Sequence, residues 1–275
     1  MELNDNFPFK FYGKPEFQSS VLVIGWNEDA GKLGEMTVDY LHEKLGCTEF
    51  GEVETADFFP SSGTSGANHV TRLPESKFYC CKNKNLVLFM SSPPRFEWYR
   101  FIDSVLHMAE YYCHTKELYT VGGMAASCAH TTPRKFTVTV NSPDLEKILS
   151  QSNLTSNIVI KTSPGQRPTL NSFLLWLAKR RNIIGADLMV SVPYYLTSVG
   201  DPQACRKPSE FLDRRLNLGI DFQDLDKEAV EQNKRVSQLR IRFPEIDDYI
   251  HKLEINKGLT PEENEKLVKK IRALL

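Results

Sequence analysis

The feature that most limits the possible folds is a short apolar run that passes through three glycines into an amphipathic helix. Residues 21–25, VLVIG, are apolar and rich in β-branched side chains, which is typical of a strand buried on both faces of a sheet. Apolar side chains then recur every three or four residues from Leu33 to Leu45, and Gly46 is well placed to end that helix. These residues therefore predict a strand followed by a helix.

The same alternation continues along the chain. Two apolar runs, KFYCC and LVLFM, flank the turn residues KNKN and predict a hairpin. Strands that alternate with helices of ordinary length predict an α/β fold with a mostly parallel sheet and helices on both faces. The other predicted strands are residues 50–54, 117–121, 136–140, 157–161 and 186–192, and the other predicted helices are residues 98–112, 143–149 and 169–182.

The pattern changes near residue 206, after which no further strand is predicted. Long charged stretches with apolar stripes predict helices instead, and Thr260-Pro261-Glu262-Glu263 is a capping box that opens the last of them. We therefore divide the chain into an N-terminal arm (1–17), an α/β domain (18–205) and a helical C-terminal extension (206–275).

Composition argues against several classes of partner. The 34 basic and 35 acidic side chains leave a net charge of -1, so no overall positive field would attract nucleic acid or an anionic membrane. No uncharged apolar run reaches the roughly 18 residues of a membrane span, and the N-terminus has no signal-peptide pattern, so we expect a cytoplasmic protein.

The six cysteines form no CxxC pair and are predicted to be free thiols, and no Cys/His spacing predicts a metal site.

The loop after the first strand has the order of a phosphate-binding loop but not its spacing. Five residues separate Gly25 from Gly31, and Leu33 stands where a P-loop has the hydroxyl that meets magnesium. The dinucleotide pattern also fails, because its first two glycines are one residue apart. We interpret Gly25, Gly31 and Gly34 as a tight turn. Binding of an anion at the helix start is the alternative, although the acidic pair at 28–29 disfavours it.

A second glycine-containing loop follows the predicted strand 117–121. Gly122 and Gly123 are predicted to turn the backbone sharply, which places Cys128, His130 and Arg134 beyond the carboxyl end of a strand, where open α/β sheets bind ligands. Cys128 and His130 could act as a nucleophile and its base. Side chains two positions apart on an extended chain point in opposite directions, so we favour a polar or structural role.

Four segments, taken together and in order, resemble the proteasome assembly chaperone 2 family and its prokaryotic relatives. They are residues 21–41, 122–140, 169–196 and 201–229, within a similarity that covers residues 18–240. This sequence has Tyr194 where family members often have histidine. The family pattern is matched by Gly25, Gly31 and Gly34, by Gly122 and Gly123 after a strand, by His130 with Thr132, Pro133 and Arg134, and by Pro193 and Tyr195 at a strand end.

The resemblance implies a three-layer α/β domain similar to the phosphorylase/hydrolase-like fold, with a helical C-terminal extension. Prokaryotic relatives are often labelled ATP-grasp or carboxylate-amine ligase-like, a label that the failed phosphate spacing does not support. No metal and no cofactor are expected. The candidate ligand-binding residues are Gly25, Gly31, Gly34, Gly122, Gly123, Cys128, His130, Arg134 and Tyr195.

Two functional hypotheses follow. The resemblance implies a non-enzymatic, chaperone-like protein that forms a homo-oligomer, for which we consider a trimer, and that binds proteasome α-subunits or another protein client. Some relatives dock through a hydrophobic-Tyr-any tail; this chain ends in Ala273-Leu274-Leu275, so the partner stays open. The alternative is an enzyme acting on a nucleoside or other metabolite. The enzyme hypothesis requires the loops 25–34 and 122–134 to meet in one pocket that Cys128 or His130 faces.

Overall fold

An eight-stranded sheet forms the centre of the computed structural model, which describes residues 8–60, 74–151 and 169–274. Within these ranges the strand order is β1-β3-β4-β5-β2-β6-β8-β7. The strands are β1 (Phe9–Phe11), β2 (Ser20–Trp26), β3 (Thr48–Val53), β4 (Ser76–Cys81), β5 (Leu86–Ser91), β6 (Thr115–Ala126), β7 (Phe136–Val140) and β8 (Ile184–Pro193).

The sheet is mixed, so the prediction of a mostly parallel sheet is wrong. The three central pairs, β5–β2, β2–β6 and β6–β8, are parallel. The pairs β1–β3, β3–β4, β4–β5 and β7–β8 are antiparallel. The short turn at Lys82–Lys84 reverses the chain between β4 and β5, whereas parallel neighbours require a longer crossover. The hairpin prediction for these two strands is confirmed.

Helices cover both faces of the sheet. Along β2, Leu22 and Ile24 pack in one apolar cluster and Val23 packs in the other, because successive side chains point to opposite faces. The two clusters explain why β2 is apolar throughout. The helices are α1 (Leu33–Leu45), α2 (Trp98–His107), α3 (Pro143–Gln151), α4 (Leu170–Arg180), α5 (Pro202–Leu216), α6 (Gln223–Arg242), α7 (Pro244–Glu254) and α8 (Pro261–Leu274).

The C-terminal helices α6, α7 and α8 pack on the same side of the sheet as α1. Their buried side chains, such as Val236, Ile250 and Ile271, belong to the apolar cluster that contains Val23 and Leu33. Helices α2 and α4 cover the opposite face. The capping box of α8 is present, since the Thr260 N–H donates to Glu263 at 2.9 Å and the Glu263 N–H donates to Thr260 at 3.3 Å. Helices α6, α7 and α8 thus contribute directly to one of the two cores.

The prediction that all six cysteines are free thiols is wrong. Cys47 and Cys81 form a disulfide whose Cα atoms are 4.4 Å apart, whereas Cys80, Cys113, Cys128 and Cys205 are free. Cys47 follows the glycine that ends α1, and Cys81 ends β4, so the two meet only when helix and strand pack together. Sequence spacing cannot reveal such a pair.

Some sequence predictions lie outside the described residues. They include the strand at 157–161 and residues 1–7 of the N-terminal arm. Within the described part of the chain, none of the helices combines the length and the apolar character that a membrane span needs.

Candidate functional site at the carboxyl ends of the central strands

The strand β6 continues through the two glycines that were expected to turn. Gly122 and Gly123 lie opposite Met189 and Val190 of β8, and β6 ends only at Ala126, so the predicted sharp turn is wrong. A Cβ atom on Gly123 would lie 1.9 Å from the Ala30 carbonyl oxygen. Glycine is therefore needed here because the loop after β2 passes very close to β6.

The glycines of the first loop are explained by close packing in the same way. A Cβ atom on Gly25 would lie 2.2 Å from the carbonyl oxygen of Gly34, and one on Gly34 would lie 2.6 Å from the Trp26 nitrogen. Gly31 has a φ of 77°, in the left-handed region that favours glycine, and lies in the short 3-10 helix before α1. These three glycines let α1 start directly against the end of β2.

The side chain of Asp29 fills the position where an anion would meet the start of α1. Its Oδ2 atom accepts hydrogen bonds from the Gly34 N–H at 3.0 Å and from the Gly123 N–H at 2.7 Å. Its Oδ1 atom is buried and has no hydrogen-bond partner among the described residues. Burial raises the pKa of this carboxyl to about 6. The Asp29 carboxylate thus accepts the hydrogen bonds that these backbone amides would donate to a bound phosphate.

The raised pKa of Asp29 predicts a pH-dependent difference between the wild type and Asp29→Asn. Because the folded-state pKa lies above the unfolded value, the stabilising contribution is complete below pH 4 and is lost as the pH rises through about 6. We expect the free energy of unfolding of Asp29→Asn minus that of the wild type to grow by about 2 kcal/mol between pH 4 and pH 7. Urea unfolding at unit pH steps measures it.

The control for this experiment is Glu28→Gln in the same loop. Glu28 is an exposed residue paired with the exposed Arg95, and such pairs contribute at most about 1 kcal/mol. The same growth with pH in Glu28→Gln would show that the net charge of the loop, rather than the buried carboxyl, causes the effect. A difference for Asp29→Asn that does not vary with pH would contradict the prediction.

His130 is held by Tyr195 and is not paired with Cys128. The Tyr195 hydroxyl accepts the backbone N–H of His130 and lies 3.0 Å from the Nδ1 atom of the same residue, where it can donate. His130 is 2 % exposed, and burial, reinforced by Arg240 and Arg134, lowers the pKa of its imidazole to about 4. Burial also raises the pKa of the Cys128 thiol. A neutral imidazole and a protonated thiol without a shared hydrogen bond do not form a nucleophile and base.

Arg134 belongs to a buried ion pair that the sequence did not indicate. Its Nε atom donates to Asp201 at 2.6 Å, and both side chains are almost fully excluded from solvent. The Nη1 atom of Arg134 donates to the carbonyl oxygens of His130 and Thr132 at 3.0 and 2.7 Å. Asp201 also caps α5 by accepting the Ala204 N–H. The Asp-Pro start of that helix was the available signal for Asp201.

The end of α7 covers the second loop from outside. The Thr131 hydroxyl donates to Glu254 at 3.2 Å, and Arg240 of α6 donates to the same carboxylate at 2.7 and 3.2 Å. Arg240 also donates to Asp247 at 2.6 Å. The C-terminal helices thereby hold the loop between β6 and β7 in place.

A second buried polar network lies on the opposite face of the sheet and was missed by sequence reasoning. The Asp187 carboxylate accepts from the Thr120 hydroxyl at 2.7 Å and from the Asn171 amide at 2.8 Å. The Trp26 indole donates to the Asn171 oxygen at 2.6 Å. Burial raises the pKa of Asp187 to about 6. The signal was an aspartate inside the apolar run of β8, and the network links that strand to β2, β6 and α4.

The two loops meet at β6, and neither of the two surface depressions described below is lined by Cys128 or His130. Loop 27–32 touches β6 at Gly123, and the meeting point is filled by Asp29. Two surface depressions stand out, one along α8 and one between α5 and α6, and of the candidate residues only Arg134 lines either of them. In the described part of the chain, no cluster of three or more His, Cys, Asp or Glu could hold a metal ion.

Comparisons with known proteins identify the fold. The chain is 18% identical to PbaB, an archaeal proteasome activator from Pyrococcus furiosus, with 84% of this chain and 98% of that one covered and a TM-score of 0.70. PbaA of the same organism, an archaeal homolog of proteasome-assembly chaperone, is 19% identical, with 86% and 99% covered and a TM-score of 0.62. A protein of unknown function from Mycobacterium tuberculosis is 18% identical, with 99% and 94% covered and a TM-score of 0.75.

These similarities extend over nearly the whole of each chain, and they show a shared fold at low sequence identity. No protein with a curated description matches the chain in sequence. The model of the PAC2 family matches residues 22–240, which is more than half of the chain and includes both glycine-containing segments, His130, Arg134, Tyr195 and Asp201. The chain therefore belongs to the PAC2 family.

Proposed function

We propose that this protein is a chaperone-like, non-enzymatic binding protein whose partners are proteins, with proteasome α-subunits as the first candidates. The observation that carries the proposal is the family match over residues 22–240. Two solved structures with the same fold are described as an archaeal proteasome activator and as an archaeal homolog of proteasome-assembly chaperone. Both descriptions refer to the proteasome, which supports a proteasome subunit as the partner.

The polar groups of the candidate site support a binding role over catalysis. The Asp29 carboxylate is bound to two backbone amides, His130 to Tyr195, and Arg134 to Asp201. Each group therefore stabilises the loops at the sheet edge and is not free to act as a catalytic acid, base or nucleophile. This favours the chaperone hypothesis over an enzyme with a phosphorylase-like fold, because that enzyme needs polar groups at these loops that are free to contact a substrate.

The outer faces of the C-terminal helices supply a surface for protein contacts. Ile241 at the end of α6 is 84 % exposed, and Ile255 directly after α7 is 49 % exposed. Exposed apolar side chains surrounded by polar ones are common where proteins bind each other. We propose that this surface binds either another copy of the chain, giving a homo-oligomer such as a trimer, or a proteasome subunit.

The proposal predicts complexes that can be measured directly. Native mass spectrometry and light scattering at micromolar concentration should show an oligomer, and co-expression with the α-subunits of the host's proteasome should yield a complex or accelerate ring formation. Ile241→Glu should weaken at least one of these associations tenfold or more, in the way that interface anchors do. Lys234→Glu on the same helix is the control, because it also introduces a glutamate and changes the charge by two units instead of one.

Two results would refute the proposed function. One is a monomer that neither binds α-subunits nor changes their assembly. The other is saturable thermal stabilisation by a nucleoside, a nucleotide or phosphate that is lost in His130→Ala, which would favour the enzyme hypothesis.

A further inference from the structure

The described residues form a concave surface that combines cationic groups with apolar walls. It lies between the first turns of α5 and the start of α6, and has a volume of about 380 Å³. Pro133 and Arg134 close one side of it. This size is at the small end of ligand pockets, which suits one or two residues or a small molecule better than a folded domain.

The guanidinium of Arg206 has unused hydrogen-bonding capacity at this surface. Its Nε atom lies 2.8 Å from the Asp226 carboxylate. Its Nη1 atom is buried and makes no hydrogen bond to a described residue, since the nearest Glu210 oxygen is 3.8 Å away. The two terminal nitrogens of an arginine bind a carboxylate as a fork, and an unmade buried donor is unfavourable. Because this nitrogen is buried, a bound carboxylate would supply the missing acceptor once the Arg206 side chain rotates toward the depression.

Two further features favour an anion at the same place. Lys207 lines the depression, is exposed, and has no ion-pair partner among the described residues. Gln203 also lines it and lies in the first turn of α5, where the helix dipole is positive. The charge of Arg134 is already balanced by Asp201. Among the charged side chains that line the depression, Lys207 is therefore the one whose charge no described partner balances.

The opposite wall is apolar. Ala229 and Val230 of α6 and Pro133 line the depression, and Val230 is 68 % exposed. An apolar side chain of this size, open to solvent beside two cations, is suited to a ligand that has a short hydrocarbon next to its charge.

We propose that the depression between α5 and α6 binds an aliphatic carboxylate. Two sources carry this chemistry, namely the C-terminal residue of a protein and a free short-chain carboxylic acid. The inference goes beyond the proposed function, because it concerns a different surface and does not require a proteasome partner.

The test is isothermal titration calorimetry of the full chain with three probes. The peptide Gly-Ala-Val-Leu with a free carboxylate is compared with the same peptide as its C-terminal amide and with 4-methylpentanoate. We expect saturable binding of the carboxylate peptide and at least about tenfold weaker binding of the amide, because one charge-assisted fork is lost. Comparable affinity for 4-methylpentanoate would assign the site to a free acid, whereas a clear preference for the peptide would assign it to a protein C-terminus.

Variants locate the binding. Arg206→Gln and Lys207→Gln should each weaken it about tenfold. Asp226→Asn should strengthen it, because an internal carboxylate no longer competes for Arg206. Lys234→Gln is the control, since Lys234 lies on α6 with an exposed side chain and does not line the depression. Circular dichroism and thermal midpoints confirm that the variants are folded.

The stronger binding expected for Asp226→Asn distinguishes a ligand site from a structural role of Arg206. If Arg206 only stabilised the fold through Asp226, removing that carboxylate would not increase the affinity for the peptide. Equal binding of the amide and the carboxylate peptide, no saturable binding of either carboxylate probe, or unchanged affinity in folded Arg206→Gln would overturn the proposal.

Discussion

Replacing Arg134 by alanine is expected to lower the free energy of unfolding by about 3–5 kcal/mol. The substitution leaves the Asp201 carboxylate buried without its cation, and it removes the donor to two loop carbonyl oxygens. Removing one member of a buried pair costs more than the pair contributes, because the remaining charge stays desolvated. Denaturant unfolding, followed by circular dichroism, measures the loss.

The control is Arg214→Ala, which breaks an ion pair with Glu210 on the exposed face of α5. Its loss should stay below about 1 kcal/mol, as is usual for surface pairs. The double variant Arg134→Met with Asp201→Asn should recover part of the loss, since no uncompensated charge remains. An Arg134→Ala protein with wild-type stability would show that the pair is not buried in solution.

Gly123→Ala is expected to destabilise the protein by about 3 kcal/mol or more. The new Cβ atom would lie 1.9 Å from the carbonyl oxygen of Ala30, and backbone atoms cannot yield as a flexible side chain can. Relief requires loop 27–32 to move away, which would also break the hydrogen bond from the Gly123 N–H to Asp29. The same movement exposes the Asp29 carboxyl to water, and burial is what raises its pKa, so we expect a lower urea midpoint together with loss of the raised Asp29 pKa.

Gly258→Ala provides the matched control. A Cβ atom at Gly258 meets nothing within 4 Å, so the same change of one methyl group should alter stability by no more than about 1 kcal/mol. Gly25→Ala, whose Cβ would lie 2.2 Å from the Gly34 carbonyl oxygen, should resemble Gly123→Ala. Equal stability of Gly123→Ala and Gly258→Ala would refute the close approach.

The secondary structure could be predicted where hydrophobic periodicity is strong. The buried run at 21–25 is β2, the following helix ends at Gly46 as expected, and the two apolar runs at 77–90 form the β4–β5 hairpin. These features depend on neighbours within a few residues along the chain, which sequence patterns capture directly. The family resemblance, which used the order of four such segments, is also confirmed.

Predictions that depended on contacts between distant segments were the ones that were wrong. Whether two strands pair parallel or antiparallel depends on which strands become neighbours in the folded sheet. The alternation of strands and helices along the chain therefore could not predict a mixed sheet. Cys47 and Cys81 are 34 residues apart and become neighbours only after folding. Glycines were interpreted as turns, yet Gly123 is a strand residue at a point of close backbone approach.

The candidate site shows the same division. His130, Arg134 and Tyr195 could be selected from the sequence, and the structure brings them together. Asp201 and Glu254, which hold Arg134 and the Thr131 loop, lie 67 and 123 residues away from those partners and gave no local signal of contact.

The sequence alone determined the apolar strand at 21–25, the glycine positions, the helical C-terminal region and the family, because each is a local or ordered pattern along the chain. Only the tertiary structure decided what fills the space between the loops. The amides at the start of α1 hold Asp29 because β2 and β6 lie side by side, and this packing brings the Gly123 N–H within 2.7 Å of that carboxylate. The sequence gives the identity of the residue at position 29, whereas the folded structure decides which groups that residue contacts.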